Sequence, residues 1–468
     1  MIAPRLVPDC RVAGSFRDPS GFVFQRGGVL LRQVNEVYRP TYDRLVASGL
    51  DRALIAEGWL VPYSKVDEEP FDSSPGAVVI QPERVPFISY PYEWSFGQLQ
   101  AAALRTLEIH RRALDAGLSL KDASAFNIQF VAGRPVLIDT LSFESYHEGT
   151  PWVAYRQFCQ HFLAPLALMS RVDPRIVTFF RANLDGFPLD LTSRLLPWST
   201  RLDPRLLVHI HWHARAQRAY GGTDGGGPPR RSGRFSRHAL LGMLDSLGAA
   251  VRSLRWEPDR TEWANYYAET NYTDAATGHK IRLVGAWLDE ARPKMVWDFG
   301  ANTGRFSRLA AEAGAETVAF DVDPACVERN YRVMAASGER RILPLLMDLA
   351  NPSPALGWDH SERESLLDRG PADLVMALAL VHHLAISNHL PLRRVASFFR
   401  QASSQLIVEF VPKSDSQVRR LLAGRADIFP DYTQEGFEAA FAAEFVIERA
   451  ERISESDRTL YLMRAKPE

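Results

Sequence analysis

The hydrophobic pattern changes character along the chain. Between residues 295 and 410, short apolar blocks alternate with stretches in which apolar positions recur at helical spacing. The blocks predict strands over 295–299, 317–321, 342–347, 373–378 and 405–410, with helices over 305–313 and 325–336. Strands alternating with helices imply βαβ units and a parallel sheet covered on both faces. The end of the chain differs. Apolar runs over 445–453 and 459–464 flank Ser454-Glu455-Ser456-Asp457, which predicts an antiparallel hairpin.

The first 220 residues are less regular. Apolar runs on either side of Arg26-Gly27-Gly28 predict a hairpin over 21–34. Leu99, Ala103, Leu107 and Leu114 predict a helix over about 97–117. Short strands are expected over 127–131 and 135–139, and several short helices over 152–220, where Leu, Phe and Ala are interrupted by Pro. Between the halves, Gly221-Gly222 and Gly225-Gly226-Gly227-Pro228-Pro229 have nothing to pack a core and read as a flexible linker. The expected organisation is a domain over 1–150, a helical extension over 151–220, a linker over 221–237 and a second domain over 238–468.

A length of 468 residues allows about three such units. With 46% apolar and 24% charged residues, the chain is neither disordered nor fibrous. The 55 basic against 56 acidic residues leave a formal charge of −1, so no whole-chain pull toward nucleic acid or an anionic membrane is expected. Cys10, Cys159 and Cys326 lie far apart with no C-x-x-C pair, which excludes a disulfide framework or zinc knuckle and favours a reducing compartment. The N-terminus lacks a basic region followed by an apolar stretch, so no signal peptide is expected. The most apolar run, 374–390, contains His382, His383 and His389 and does not fit a membrane span. The expected location is cytoplasmic.

The chemistry concentrates where the predicted strands end. The first strand runs into Asp298-Phe299-Gly300-Ala301-Asn302-Thr303-Gly304, a glycine-bearing turn that opens a helix. Such a turn lets backbone approach a ligand closely. The second strand ends in Asp321, placed to accept hydrogen bonds from ribose hydroxyls, and the third closes on Asp348. Asp298 either orients the turn or touches the ligand, and Asp323 before Pro324 is expected to cap a helix.

At these residues the chain resembles the class I S-adenosylmethionine-dependent methyltransferases, over roughly residues 261–468. Val296 to Gly304 is similar to their first motif, Asp321 to their ribose-binding acid and Asp348 to their adenine-contacting acid. The fourth-strand exit through His382-His383-Leu384 and the terminal hairpin are also similar. Asn302 replaces the family's middle glycine, and Asn is the side chain that best tolerates left-handed backbone. The resemblance implies an α/β Rossmann-like fold: a mostly parallel seven-stranded sheet with a reversed last strand. It also implies S-adenosyl-L-methionine as cofactor, bound by Asp298, Gly300, Asn302, Gly304, Asp321 and Asp348. Upstream aromatics, Tyr272 first among them, are candidates for a lid over that cofactor.

Methyl transfer needs positioning, and a base only where the acceptor arrives protonated. His382 and His383 are candidates for that base or for pocket lining. Glu409 ends the fifth strand and is expected either to bind a substrate amine or hydroxyl or to cap the next helix. No metal is expected at this site.

In the N-terminal half, Asp122 and Asn127 are five apart after the long predicted helix, and Asp139 follows twelve residues later. This resembles the catalytic loop and metal-binding Asp of protein-kinase-like and aminoglycoside-phosphotransferase-like folds. The resemblance covers residues 15–150 and implies an α+β domain in which Asp122 is the catalytic carboxylate and Asn127 and Asp139 hold magnesium. Lys121 precedes Asp122 where the family has His-x-Asp, and no glycine-rich loop is legible over 21–34. Lys65, the only lysine before Lys121, lies outside the strand that should clamp phosphate, leaving Arg32 as a poor substitute. The expected module is degenerate, holding substrate or partner; an unrelated α/β domain is the alternative. His209, His211 and His213 alternate but have helix-like flanks that would scatter them, so they are not expected to bind metal.

Together these features predict a cytoplasmic S-adenosylmethionine-dependent methyltransferase. The absence of an Asn/Asp-Pro-Pro-Tyr type motif argues against a DNA substrate. Residues 346–432 and the overall layout are similar to host-specificity nodulation-type bacterial methyltransferases, which implies a small-molecule or saccharide-like acceptor. Two alternatives remain open: a bifunctional phosphotransferase–methyltransferase, and a non-catalytic adenosylmethionine-binding scaffold.

Overall fold

A computed structural model describes residues 9–216, 235–258, 273–424 and 426–467. The glycine-rich stretch 221–233 and Tyr272 fall outside the described residues. The chain divides into two compact units, one of Met1–Glu257 with Leu356–Arg363, the other of Pro258–Ala355 with Glu364–Glu468. Among the described residues no helix is long and apolar enough to cross a membrane.

The first unit opens with five antiparallel strands, β1 (Cys10–Arg11), β2 (Gly21–Arg26), β3 (Val29–Val34), β4 (Tyr63–Val66) and β5 (Val78–Pro82), in the order β1-β2-β3-β5-β4. The predicted hairpin is β2–β3. Its two turn residues, Gly27 and Gly28, have φ of 55° and 83°, the left-handed pair that a tight hairpin requires. The predicted long helix spans Phe96–Asp115 and starts with a capping box between Ser95 and Gln98. Two small antiparallel pairs follow: β6 (Leu118–Leu120) with β9 (Phe143–Ser145), and β7 (Ile128–Val131) with β8 (Arg134–Leu137). Short helices occupy most of the rest, as the Pro-punctuated composition predicts.

Two boundaries differ from the sequence expectation. The helix Arg237–Ser253, assigned by sequence to the second domain, belongs to the first unit. It packs on Phe96–Asp115, with Gln100 Nε2 donating to the Val251 and Leu254 carbonyls at 2.8 and 3.1 Å and Arg111 paired to Asp245. The stretches 1–150 and 151–220 likewise fall in one unit rather than two. The histidine run lies in a π-helix, Leu207–Trp212. His209 meets Tyr155 and Ser246 hydroxyls at 2.8 and 2.9 Å, and His211 meets those of Ser193 and Thr200 at 2.8 and 3.0 Å.

The second unit is built on seven strands: β10 (Met295–Phe299), β11 (Glu316–Asp321), β12 (Ile342–Leu346), β13 (Ala372–Ala377), β14 (Ser403–Phe410), β15 (Phe445–Arg452) and β16 (Thr459–Ala465). Their order is β12-β11-β10-β13-β14-β16-β15. The first five are parallel; β16 runs antiparallel to both β14 and β15. Strand alternation splits β10 between two faces. Val296 joins Trp287, Leu288, Leu374, Met376, Ile407 and Leu462 in one buried cluster. Phe299 packs against Phe320, Phe398 and Phe399. Helices Asp274–Ala291, Arg305–Glu312, Pro324–Ser337 and Leu392–Ala402 supply the apolar surfaces that cover the sheet.

Candidate functional site

In an open parallel sheet, the carboxyl ends of the strands form a crevice where the strand order reverses. Here the chain leaves β10 toward β11 on one side and returns to β13 on the other. A cavity of about 480 Å³ opens at that point. Its walls include Asp298, Gly300, Asn302, Asp321, Asp348, Leu378, His383 and Asn388. That volume suits a small-molecule site.

The turn after β10 is held by backbone. Gly300 and Ala301 amides donate to the Phe320 carbonyl at 2.9 Å each. Gly300, Asn302 and Gly304 have φ of 74°, 52° and 79°, so three residues of this turn are left-handed. A Cβ on Gly300 would lie 3.3 Å from the Leu380 side chain, and one on Gly304 would overlap the Asn330 amide. Asn302 takes the conformation expected of it, and its Nδ2 donates to Cys326 Sγ at 3.2 Å.

The three acids are organised differently. Asp298 is 2% exposed, accepts from Ser307 Oγ at 2.6 Å and so ties the strand end to the next helix. Burial raises its pKa to about 7. Asp321 accepts the Asn302 amide at 2.7 Å and the Asp323 amide at 2.9 Å, and burial raises its pKa to about 6. Asp323 caps the helix Pro324–Ser337 through the Ala325 amide at 2.8 Å. Asp348 accepts the Ala350 amide at 2.9 Å and keeps its place on the cavity wall.

The exit of β13 is strained. Ala379 has φ of 52°, a conformation that costs a non-glycine residue energy and that concentrates at functional sites. His383 opens a single π-helical turn, His383–Ser387, and lines the cavity with Ser387 and Asn388. Burial lowers its pKa to about 4, leaving the imidazole neutral at pH 7.

His382 and Glu409 do not line this cavity. His382 is 2% exposed, its Nδ1 has no partner, and burial pushes its pKa well below the usual range. Glu409 is fully buried, with Oε2 2.6 Å from Lys280 Nζ and Oε1 3.7 Å from an Arg458 amine. Both of its oxygens face buried cations. Sequence reasoning missed Lys280, which does line the cavity. The signal was present: Lys280 interrupts the apolar stripe Ala276, Val284, Trp287, Leu288 on the helix Asp274–Ala291.

In the first unit, Asp122, Asn127 and Asp139, all in the chain segment that connects β6 to β9, come together. Asp139 pairs with Arg32 of β3 at 2.5 Å and accepts from Ser142 Oγ at 2.5 Å. Burial alone would raise its pKa, but Arg32, the Ser142 hydroxyl and the Leu141 amide together more than offset this and the net shift is downward. Asp122 accepts from Gln157 Nε2 at 2.8 Å and the Ser124 amide at 2.9 Å. Burial, with the nearby Asp139 charge, raises its pKa. Asn127 donates to Ser142 Oγ at 3.3 Å, and Lys121 donates to Ser20 Oγ at 2.7 Å. Lys65 sits on β4, where it pairs with Ile80 of β5, which in turn pairs with Arg32 of β3.

Five parallel strands extended by an antiparallel pair with the last strand inside, a glycine turn after the first, and carboxylates closing the next two give the Rossmann-like fold of the class I S-adenosylmethionine-dependent methyltransferases. No family model matches the chain. Nodulation protein NoeA of Rhizobium meliloti (strain 1021) is 37% identical over 458 residues, covering 96% of this chain and 95% of that protein. The chain belongs to the family of that protein. Among solved structures, the N-methyltransferase NodS from Bradyrhizobium japonicum WM9 is 11% identical, covering 42% of this chain and 98% of that one with a TM-score of 0.32. The magnesium protoporphyrin IX methyltransferase ChlM from Synechocystis PCC 6803, with bound SAH, is 19% identical, covering 43% and 93% with a TM-score of 0.31.

Proposed function

We propose that the protein methylates a hydroxyl of a small, saccharide-like acceptor, using S-adenosyl-L-methionine, while the first unit holds substrate or a partner. The observation that carries this reading is the shared wall: one cavity holds the three strand-end carboxylates and a neutral His383 beside Ser387 and Asn388. Gly300, with no Cβ, leaves room for a ligand against backbone, and Asp321 presents a buried carboxylate to two ribose hydroxyls. Asp348 faces the adenine side, and Asn302 keeps the turn closed through Cys326. When bound, S-adenosylmethionine supplies a methyl group on a cationic sulfur, open to in-line attack.

His383 takes the acceptor's proton. A neutral imidazole is the form a cationic sulfonium tolerates beside it. Methyl transfer removes the charge from sulfur, and the proton leaving the acceptor oxygen places one on His383, so the site's charge is conserved. Ser387 and Asn388 offer hydrogen bonds to a polyhydroxylated acceptor. The three cysteines are free, which supports a reducing compartment, the cytoplasm, as the location. Arg32 at Asp139 favours a holding role for the first unit over phosphoryl transfer, because the guanidinium occupies a carboxylate that a magnesium ion would need.

Transfer of a tritiated methyl group to mono- and oligosaccharides, amino acids and RNA tests the proposal. Label is expected in a saccharide fraction, with His383→Ala lowering kcat by about 10²–10⁴-fold and leaving cofactor affinity within about twofold. Label found only in RNA or amino acids would refute the acceptor class.

A further inference from the structure

The near-neutral charge of the whole chain hides a basic stretch. In sequence, residues 194–215 carry four arginines against one aspartate, and 216–237 add five arginines against one more. The first part of that stretch is also apolar at its surface. Among the described residues seventeen large apolar side chains are exposed, and five of them fall within 195–212. Trp198 is 67% exposed, Leu202 70% and Trp212 55%, and Leu195 and Val208 join them. Exposed apolar residues scattered singly need no explanation, whereas a cluster marks an interaction surface.

One buried side chain joins the segments that carry them. The ring nitrogens of His211 meet the Ser193 and Thr200 hydroxyls at 2.8 and 3.0 Å. Leu195 comes soon after Ser193, Trp198 and Leu202 flank Thr200, and Trp212 follows His211, so the exposed residues surround one anchor. In the 3-10 turn Trp198–Leu202, residues three apart eclipse, which sets Arg201 beside Trp198. Along the helical stretch 204–216, Arg205, Val208, Trp212 and Arg215 recur at spacings of three, four and three. That spacing makes one face with an arginine at each end. Asp190 and Asp203 are paired with Arg194 and Arg205, each at 3.2 Å. Among the described residues Arg201 and Arg215 form no salt bridge, so the patch keeps a positive charge.

Tryptophan and leucine beside arginine suit the boundary of a bilayer, where indole sits at headgroup level and guanidinium meets phosphate. A second copy of the chain fits less well. A two-fold contact would set Arg201 and Arg215 against like charges, with both aspartates already paired. Single-stranded nucleic acid also fits less well, because bases stack on aromatic faces and Leu195, Leu202 and Val208 present none. We propose that this surface docks the first unit on an anionic phospholipid bilayer, Trp198, Leu202 and Trp212 entering the interface and Arg201 and Arg215 meeting headgroups.

The test is flotation of the full chain with vesicles of phosphatidylcholine, alone or with about 30% phosphatidylglycerol, at about 0.15 M salt. Partition onto the anionic vesicles is expected to exceed that onto the neutral ones by about tenfold or more. Two double variants change exposed side chains only: Trp198→Ser with Leu202→Ser, and Arg201→Glu with Arg215→Glu. With the fold checked by circular dichroism, each is expected to weaken anionic-vesicle binding by about tenfold or more. No wild-type binding, equal binding to both vesicles, or undiminished binding by either folded variant overturns the proposal. If vesicles are not bound, and the same variants abolish binding to a fluorescent oligouridylate, the surface belongs to nucleic acid instead. If they abolish dimerisation in ultracentrifugation, it belongs to a second copy.

Discussion

Two acidic clusters, one in each unit, have opposite electrostatics. In the first unit Asp139 is satisfied internally: Arg32 reaches it at 2.5 Å and its pKa falls. In the second, Asp298 and Asp321 are buried with backbone and hydroxyl donors and, among the described residues, form no salt bridge, and burial raises their pKa values to about 7 and about 6. A carboxylate held above its ordinary range is one the fold has desolvated without compensating, and a cationic ligand can supply the compensation. Asp139 has that compensation within the chain. The comparison teaches that a run of acids is not a site until its partners are counted.

Gly300→Val has the largest expected effect. A branched side chain at φ 74° both strains the turn and fills the space beside Leu380. Calorimetry is expected to show no measurable cofactor binding by a folded variant; normal titration would make the turn purely structural. Next is Arg32→Gln, which leaves Asp139 without its cation. It should destabilise the protein by about 3 kcal/mol in denaturant titration while leaving cofactor affinity unchanged. A stability near wild type would mean that Arg32 does not close the first cluster.

Asp321→Ala sharpens the other side. It removes the proposed ribose contact and the acceptor for the Asn302 and Asp323 amides. An affinity loss of about 1.5–3 kcal/mol, tenfold or more, is expected; an unchanged Kd would remove Asp321 from the site. The smallest effect concerns Ala379. Replacement by Gly relieves the left-handed strain at φ 52° and should raise stability by about 1 kcal/mol. A fall in melting temperature would show that the conformation is not strained.

Much of this was legible in the sequence because it is local. Gly300, Asn302 and Gly304 fall in one turn, and Asp298, Asp321 and Asp348 close consecutive strands, so chain order places them together. The burial of Glu409 and His382 was not legible, because burial depends on partners distant in sequence. Lys280 is 129 residues from Glu409, and nothing near either predicts the pair. The unit boundary shifted for the same reason: helix Arg237–Ser253 looks free in sequence, yet Gln100 and Arg111 hold it to Phe96–Asp115. Arg32 was singled out as a substitute for a missing lysine. What only the structure supplies is that its charge is spent on Asp139.

The most direct test is the pH dependence of S-adenosylmethionine affinity, measured by calorimetry on the full chain between about pH 5 and 8. Asp298 and Asp321 hold their protons more tightly folded than unfolded. The stability they confer is complete below the unfolded carboxylate range, near pH 4, and fades as pH rises through about 6 to 7. A ligand with net positive charge requires them ionised, so affinity runs the other way. The account predicts one site per chain whose Kd tightens about tenfold from pH 5.5 to 7.5 and then levels. No binding, or an affinity flat across that window, would contradict it.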